Sequence, residues 1–543
     1  MKIQSLIGRS GVVRAAAAVL TAALLMAGCA SSDDGDTKSA PTAVPKGTDA
    51  QITALNWGVG SGPRSLDFNH AVDGPSWVVW GELAEPLLTV DNSGKAIPKL
   101  ATSWTETPGK IVFTLRKGVR FWDGEPLTAE DVVWSLNRTG DPKQASEFAP
   151  FWVNVASVKA TAPDEVTLTL RKPDSTFLFN MRGPRIYQKV QALKAGNGFG
   201  TPTGLVMGTG PYRIDKFSPA TGATMTRFDG YWGTKPTVKK VEVKVISDPD
   251  ALRLALQSGE VDGTFEFPLG SSSSWDKMDS VATIYGPSSG TTSVILDTTK
   301  PPFSDVHARR AVAYSIDRAG LNKALQNGHG SPAQDLAPSL LWQNYASESE
   351  VKEFTSGLPR FDFDLAAAKA ELAKSATPTG FSLTVYAPSE IPQLVKTLEV
   401  LKKSLSELGI TLTVKQVPVA AWAGRVTGAD RDPLGIMLAG AVSANPLGHV
   451  LSLFADPGAP GSYSTYAPPT LKASLAEYKQ ATKSRQLEIA KTVLTQLAND
   501  LPVVPVTVID TSLALNKKYV YTEQFTSWYS VGDEWAHSIK AAH

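Results

Sequence analysis

The sequence predicts an α/β protein of more than one lobe, with a compact α+β subdomain inserted in the N-terminal lobe. At 543 residues the chain is too long to fold around one ordinary hydrophobic core, and two or three lobes are expected. Predicted helices alternate with strands at 381–386, 410–417 and 434–440, which indicates a second α/β lobe with a mixed sheet. Residues 86–204 combine short strands with an amphipathic helix, which indicates the inserted subdomain.

The composition is that of a folded protein without a nucleic-acid partner. Hydrophobic residues make up 42% of the chain, which contains 13 Trp, and 53 basic residues nearly balance 52 acidic ones. A nucleic-acid-binding protein would carry a basic excess. The six His stand in no metal-ligand spacing, so we expect no metal site and no cofactor.

The N-terminus has the pattern of an exported, lipid-anchored protein. A basic start is followed by the apolar run 15–27, which is too short for a membrane-spanning helix, so residues 1–28 are predicted to be a signal peptide. The run ends at the only cysteine, Cys29, in a sequence that resembles the lipobox of bacterial lipoproteins, whose cysteine is lipidated. The alternative is an ordinary secretory signal. Residues 29–49 are small and polar, which favours a flexible tether.

The elements of the N-terminal lobe follow from local periodicity. Residues 110–115 alternate strictly and pair with 100–104 as a predicted hairpin. Thr128 stands three residues before Asp131, which is typical of a capping box at the start of a helix over 129–137. The other predicted elements are strands at 52–57, 86–90, 153–161, 165–170, 212–217, 223–228 and 241–246, and helices at 76–82 and 250–258.

The C-terminal half continues with longer amphipathic helices. A strand at 291–297 leads into one predicted helix over 307–325. Three more helices are predicted at 363–375, 391–408 and 470–499, the last of which precedes the apolar segment 501–506. The chain end, from Tyr519, is aromatic and is expected to pack on the first lobe.

One motif invites an enzymatic interpretation. Residues 286–290 match G-x-S-x-G, but a nucleophile elbow requires a strand before the serine and a helix after it. Here strand-like segments stand on both sides, so Ser288 is predicted to lie in a turn between strands. We therefore expect no catalysis by this motif.

Four segments in order resemble the family 5 extracellular solute-binding proteins of ABC importers. They are IVFTLRKGVRFWDGEPLTAEDVVWSLNR (111–138), GTGPY…YWG…SGEVD (208–262), LDTTKPPFSDVHARRAVAYSIDR (296–318) and LPVVPV (501–506). The resemblance implies a periplasmic-binding-protein-like clamp of type II, cluster C, with the extra subdomain in the N-terminal lobe. It also implies a protein that performs no chemistry.

The resemblance also implies the domain boundaries and the partners. Lobe I is expected at 50–295 with its insert at 86–204, lobe II at 296–506, and a return to lobe I at 507–543, with the hinge near Asp297 and Val506. The expected protein is a monomer, anchored by lipid on the extracytoplasmic face of the cell membrane. It would deliver a small solute to ABC permease subunits.

The solute site is expected in the cleft between the lobes. In peptide-binding relatives an acidic residue before an Asn-x-Pro-like turn pairs with the peptide's amino group. The matching stretch here has no acid between Leu438 and Asn445, which argues against an ordinary free-amine peptide. The resemblance implies these ligand contacts: Asp73, Phe151, Trp152, Glu266, Trp422, Arg425, and the strand 434–442 with Gly440 and Val442.

The predicted ligand is a peptide or peptide-like molecule bound largely by the backbone of the 434–442 strand. The alternative within the class is an oligosaccharide or glycoside, since Trp152 and Trp422 could stack on sugar rings while Asp73 and Glu266 bind hydroxyls. The alternative from another class is a secreted hydrolase, which would show turnover rather than stoichiometric binding.

Overall fold

The structure is a computed structural model that describes residues 44–427, 431–441, 443–454, 463–530 and 534–543. The predicted signal peptide, Cys29 and most of the tether lie outside the described residues, as does Val442. Within the described residues, no helix combines the length and hydropathy that crossing a membrane requires.

Fourteen α-helices lie within the described residues. They are α1 (Gly74–Leu83), α2 (Ala129–Gly140), α3 (Lys189–Ala195), α4 (Pro249–Ser258), α5 (Ser272–Asp276), α6 (Val306–Tyr314), α7 (Arg318–Gln326), α8 (Glu348–Ser356), α9 (Leu365–Leu372), α10 (Pro392–Ser406), α11 (Val419–Thr427), α12 (Gly448–Leu453), α13 (Pro469–Tyr478) and α14 (Lys483–Asp500).

The strands form three larger sheets and three two-stranded pairs. They are β1 (Leu55–Val59), β2 (Leu88–Val90), β3 (Ala96–Pro98), β4 (Ala101–Thr107), β5 (Lys110–Leu115), β6 (Val155–Ala162), β7 (Glu165–Leu170), β8 (Tyr212–Ser218), β9 (Gly222–Arg227), β10 (Lys240–Val245), β11 (Gly263–Phe265), β12 (Val281–Gly286), β13 (Thr291–Leu296), β14 (Ser331–Pro332), β15 (Ser382–Pro388), β16 (Thr411–Val417), β17 (Leu434–Ala439), β18 (Val503–Val508), β19 (Thr511–Asn516), β20 (Tyr519–Tyr521) and β21 (Ile539–Ala541).

A seven-stranded mixed sheet forms the centre of the N-terminal lobe, in the order β12-β19-β11-β1-β10-β9-β8. The C-terminal segment contributes β19, and Trp535 from the same segment is 3% exposed and donates its Nε1 hydrogen to the carbonyl of Val78 at 2.9 Å. The aromatic chain end therefore packs on this lobe.

The inserted segment forms its own four-stranded sheet, in the order β4-β5-β7-β6, with α2 packed against β6. The predicted hairpin is confirmed, because β4 and β5 pair antiparallel. The capping box is confirmed too: Thr128 accepts a hydrogen bond from the amide of Asp131, whose side chain accepts from the amide of Thr128. These contacts are local, which is why the sequence pattern reveals them.

The second lobe differs from the predicted single mixed sheet. β14, β18, β13 and β17 form an antiparallel sheet, while β15 and β16 form a separate parallel pair. The three predicted strands therefore belong to two hydrogen-bonded units, a distinction that alternation of helix and strand does not contain.

Two predicted long helices are each divided in two. The helix predicted over 307–325 is α6 and α7, because Asp317 caps a new helix by accepting a hydrogen bond from the amide of Gly320. The helix predicted over 470–499 is α13 and α14, interrupted at residues 479–482. Apolar spacing continues across both breaks, so periodicity alone did not locate them.

The chain passes between the two lobes at residues 287–290 and 509–510. The first passage lies ahead of the predicted boundary at residue 295, because β13 pairs with β17 and β18 and not with the N-terminal sheet. Ser288 lies in this passage, between the strands β12 and β13, and its Oγ accepts a hydrogen bond from the amide of Gly290 at 2.8 Å. The turn predicted around Ser288 is confirmed.

Candidate functional site

An apolar cluster joins the two lobes. We call it the interlobe cluster: Val90, Phe179 and Trp528 contribute from the N-terminal side, and Leu340 and Leu341 from the second lobe. The rings of Phe179 and Trp528 meet edge to face at a centroid distance of 5.5 Å. Ala441 and Ala444 pack against the same cluster. The cluster thus lies beside the end of β17, where the predicted ligand-binding segment begins.

Polar contacts flank the interlobe cluster. The side-chain amide of Asn344 donates to the carbonyl of Ser93 at 2.7 Å, and that of Gln486 donates to Oγ of Ser175 at 3.0 Å. Each pair joins the second lobe to the N-terminal side. Directional contacts of this kind on both sides of an apolar patch are what a clamp needs to close in one defined arrangement.

The segment after β17 lies against the passage between the lobes. The amide of Ala441 donates to Oγ of Ser289 at 3.3 Å, so the predicted contact Gly440 stands within one residue of this passage. Asn445 holds the following turn, since its Oδ1 accepts from the hydroxyl of Tyr478 at 2.8 Å. Val442 lies outside the described residues.

The fold brings two of the predicted acids together. Oε2 of Glu266 lies 3.5 Å from the position that a Cβ would take on Gly74, the residue after Asp73. Glu266 is exposed and has a φ of +57°. A non-glycine residue in this region is uncommon and is a recognised signal of a functional site.

Asp73 also stabilises the start of α1. Its carboxylate caps α1 by accepting from the amide of Ser76 at 2.9 Å, and it accepts from Nε of Arg64 at 2.8 Å. The guanidinium of Arg64 also forms a bidentate ion pair with the carboxylate of Glu147, with N–O distances of 2.6 and 2.9 Å. These contacts already satisfy much of the Asp73 carboxylate, whereas Glu266 lies exposed at the same helix start.

The predicted aromatic pair is divided between surface and core. Phe151 is 37% exposed, and its carbonyl accepts from the side chain of Asn180 at 3.3 Å, which places it next to the segment that carries Phe179. Trp152 is 4% exposed and packs against Phe177 at 5.6 Å. Both residues stay predicted ligand contacts, and the burial of Trp152 shows that most of its ring is already packed.

Trp422 and Arg425 lie on α11 of the second lobe. Trp422 is 8% exposed. The guanidinium of Arg425 lies 3.6 Å from the ring centroid of Tyr386 and 3.3 Å from Oδ1 of Asp432. Both contacts stay within the second lobe, and their role in binding remains a prediction.

Three residues at the interlobe cluster were missed by the sequence-based prediction: Phe179, Arg182 and Trp528. Arg182 stands at the end of a 3-10 helix (Phe177–Arg182), with its guanidinium 3.7 Å from the ring centroid of Phe179. A sequence signal for it exists, because no Asp or Glu occurs between Asp174 and Asp215. A basic residue in an apolar, acid-free stretch has no local partner.

Two surface depressions lie elsewhere. One of 860 Å³ is lined by Trp134, Arg138 and Phe199, and one of 670 Å³ by Trp122 and Met207, all in or beside the insert. Neither includes a residue of the interlobe cluster, so we do not place the solute there. Among the described residues, no group of three or more His, Cys, Asp or Glu is arranged to hold a metal ion.

Comparison with known proteins agrees with this geometry. The family model "Bacterial extracellular solute-binding proteins, family 5 Middle" matches residues 95–455. The glutathione-binding protein GsiB of Escherichia coli K12 is 26% identical over 384 residues, which cover 70% of this chain and 72% of that protein.

Solved structures show the same fold. The periplasmic binding protein DppA of Helicobacter pylori, in complex with the peptide STSA, has a TM-score of 0.74 at 21% identity, over 91% of this chain and 99% of its own. The protein AgaA of A. tumefacien R10, in complex with agropinic acid, also has a TM-score of 0.74 at 21% identity, over 90% and 99%. The predicted two-lobed α/β clamp is confirmed.

The family model covers well over half of the chain, and the four sequence segments, the fold and the interlobe contacts all agree with it. The chain belongs to the bacterial extracellular solute-binding proteins of family 5.

Proposed function

We propose that this protein binds a peptide or peptide-like solute between its lobes and delivers it to the permease of an ABC importer. The observation that carries the proposal is the position of β17. This strand pairs with β13 on one side and has β15 near its other side. Its C-terminal end, where Leu438 and Gly440 are exposed, leaves a short backbone edge beside the interlobe cluster. An extended peptide can add to such an edge through main-chain hydrogen bonds.

The relatives support a solute of this class. GsiB is named for glutathione, and DppA was solved with a four-residue peptide. Family 5 members and the neighbouring structures are binding proteins of transport systems, so the prediction that the chain is not an enzyme is confirmed.

Because no acid stands between Leu438 and Asn445, another residue must pair with the amino group of a bound peptide. A peptide ammonium buried without a counter-ion would be strongly disfavoured, and Glu266 is the acid that we propose in its place. Its exposure, its left-handed backbone and its position at the start of α1 beside Asp73 support this role. Phe151 and the backbone from Gly440 complete the proposed contacts.

The proposal is tested by thermal unfolding of the mature protein with a pooled library of tri- and tetrapeptides. Ligand that binds only the native state raises the melting temperature. A shift with cello- or xylo-oligosaccharides and none with peptides would replace the peptide by a sugar. Release of product from any of these compounds at a catalytic rate would contradict the binding function itself.

Glu266→Gln is expected to raise the Kd for bound peptides about tenfold, since a charge-assisted hydrogen bond contributes about 1.5–3 kcal/mol when buried and less when exposed. The unfolding free energy of the ligand-free protein should change by less than about 1 kcal/mol, because the side chain is exposed. Isothermal titration calorimetry measures the first effect and urea unfolding the second.

Glu260→Gln is the matched control for Glu266→Gln, because Glu260 is an exposed acid close by in the same segment. It should bind as the unaltered protein does. An unchanged Kd in Glu266→Gln would remove this residue from the site.

We further propose that Cys29 carries the lipid that holds the protein, as a monomer, at the extracytoplasmic face of the cell membrane. Cys29→Ala is expected to move the protein from the membrane fraction to the soluble fraction and to abolish labelling with radioactive palmitate. The neighbouring substitution Ser31→Ala should leave both unchanged. Membrane association of the alanine variant at the level of the unaltered protein would refute the anchor.

A further inference from the structure

Arg182 belongs to the insert and lies against the interlobe cluster. It ends the 3-10 helix Phe177–Arg182, and its Nη1 donates to the carbonyl of Phe179 at 3.0 Å. Its guanidinium lies over the ring of Phe179, which belongs to the interlobe cluster. Asn180 in the same turn contacts Phe151, a candidate ligand contact. One short segment therefore links the charge, the cluster and the predicted aromatic contact.

Two buried donors at this place have no acceptor among the described residues. Nε of Arg182 is buried and has no hydrogen-bond partner among the described residues, and the same holds for Nε1 of Trp528, which is 3% exposed. Both side chains contact the ring of Phe179. Buried donors are nearly always satisfied in folded proteins, so two that contact one ring indicate an acceptor from outside the described residues, and a bound solute can supply it.

The positive charge of Arg182 is not balanced by the described residues. In the described part of the chain, no carboxylate lies within ion-pair distance of it, and its neighbour Arg185, 2% exposed, adds a second positive charge. Burial, with a smaller contribution from Arg185, lowers the pKa of Arg182 to about 9. An anion bound here would reverse that destabilisation of the charged form.

The open edge of Arg182 specifies the geometry of the anion. Nη1 is occupied by the carbonyl of Phe179, while the edge formed by Nε and Nη2 makes no hydrogen bond with the described residues. Two parallel N–H donors on one edge match the two oxygens of a carboxylate. Neutral sugar hydroxyls would leave the charge unpaired.

We propose that Arg182, assisted by the indole N–H of Trp528, binds the carboxylate of the solute, so that the protein selects solutes with a free carboxylate. This inference rests on the proposed peptide function and deepens it. Together with Glu266 it gives the site one group for each charged end of an unmodified peptide. No covalent step is involved.

The test compares two pooled libraries of tri- and tetrapeptides, one with free C-terminal carboxylates and one with C-terminal amides. The probes are these two libraries, titrated separately into the mature protein while its melting temperature is followed. The free-acid library is expected to bind at least about tenfold more tightly than the amide library, since charge-assisted hydrogen bonds are about twice as strong as neutral ones and two are lost.

Two variants remove donors while keeping the packing. Arg182→Met retains an apolar stem over Phe179, and Trp528→Phe retains a ring in the interlobe cluster. Each is expected to weaken binding of the free acids about tenfold or more and to narrow the difference between acids and amides. Arg171→Met, at an exposed arginine of the insert, is the control and should preserve the difference.

The outcomes separate the inference from the function on which it rests. Equal binding of acids and amides by the unaltered protein, unchanged in Arg182→Met, would overturn the carboxylate site and leave the peptide function intact. Failure of both libraries to bind would overturn the peptide function and the inference with it. If Arg182→Met loses binding of both libraries equally, the residue is structural and the inference is wrong.

Discussion

Glu85→Ala is expected to lower the free energy of unfolding by about 3–5 kcal/mol, the cost typical of breaking a buried charged network. Glu85 is fully buried and accepts hydrogen bonds from Thr209 at 2.7 Å, from the indole of Trp232 at 2.9 Å and from the hydroxyl of Tyr231 at 2.9 Å. Alanine would leave Thr209 and the indole of Trp232 without this acceptor, while the hydroxyl of Tyr231 keeps its contact with Glu534. Urea unfolding followed by tryptophan fluorescence measures the loss.

The network also secures the C-terminal segment. Lys99 lies 3.4 Å from Glu85 and also pairs with Glu534, which contacts Tyr231. Lys99 therefore forms ion pairs with both carboxylates. Burial raises the pKa of Glu85 to about 7, with the charge of Lys99 opposing the shift. Of the two carboxyl groups, Glu85 is therefore the one that is protonated at the higher pH.

Glu85→Gln distinguishes charge from hydrogen bonding in this network. It keeps an acceptor for Thr209 and Trp232, so we expect it to be clearly less destabilising than Glu85→Ala. Glu130→Ala, at a highly exposed acid on α2, should change the unfolding free energy by less than about 0.5 kcal/mol. An alanine variant of Glu85 as stable as the Glu130 control would contradict the role of the network.

Acidification is expected to destabilise the protein through His449. This residue is 1% exposed on α12, with Nε2 2.5 Å from the carbonyl oxygen of Ser289 and 2.9 Å from Oγ1 of Thr291. Burial lowers the pKa of His449 to about 4, with the hydrogen bond to Ser289 opposing the shift. The folded protein therefore holds the ring neutral at pH values where the unfolded chain binds a proton.

Proton linkage fixes the direction in which stability changes with pH. Above about pH 6.5 the ring is neutral in both states and contributes no pH dependence. As the pH falls from about 6.5 to about 4, the unfolded state gains the proton first, so the contribution of His449 to stability decreases by about 3 kcal/mol, while the raised pKa of Glu85 contributes in the opposite direction. The difference in melting temperature between the unaltered protein and a His449 variant, measured across this range, checks the prediction.

His449→Gln should show a flatter pH profile over the same range, because glutamine can donate to Ser289 but does not titrate. His543→Gln, at the exposed terminal residue, should keep the profile of the unaltered protein. If His449→Gln and the unaltered protein lose stability in parallel on acidification, other groups are responsible. Because His449 contacts the passage at 287–290, the loss would act where the two lobes join.

Local features were predictable from neighbouring residues. The capping box of Thr128 and Asp131 and the hairpin of β4 and β5 depend on contacts a few residues apart, and both appear where expected. The divided helices were missed because a cap such as Asp317 acts on one turn, while the apolar spacing continues through it. The early passage at 287–290 depends on which sheet β13 joins, a long-range choice.

The candidate site was predictable only in part. The resemblance named Glu266 and Asp73, and the fold places them at one helix start. It also named Trp152, most of whose ring is already packed, with Phe177 among its neighbours. It did not name Arg182, whose contact with the ring of Phe179 and lack of an ion-pair partner among the described residues depend on neighbours in space.

The amino-acid order alone was enough to assign the family and the clamp, since four long segments preserve turn, cap and strand patterns that are each local. The interlobe cluster and the Glu85 network were decided only in three dimensions. Phe179 and Trp528, like Glu85 and Glu534, are hundreds of residues apart and meet through the packing of separate elements. Burial and charge pairing depend on all neighbours in space, and a linear pattern records only neighbours along the chain.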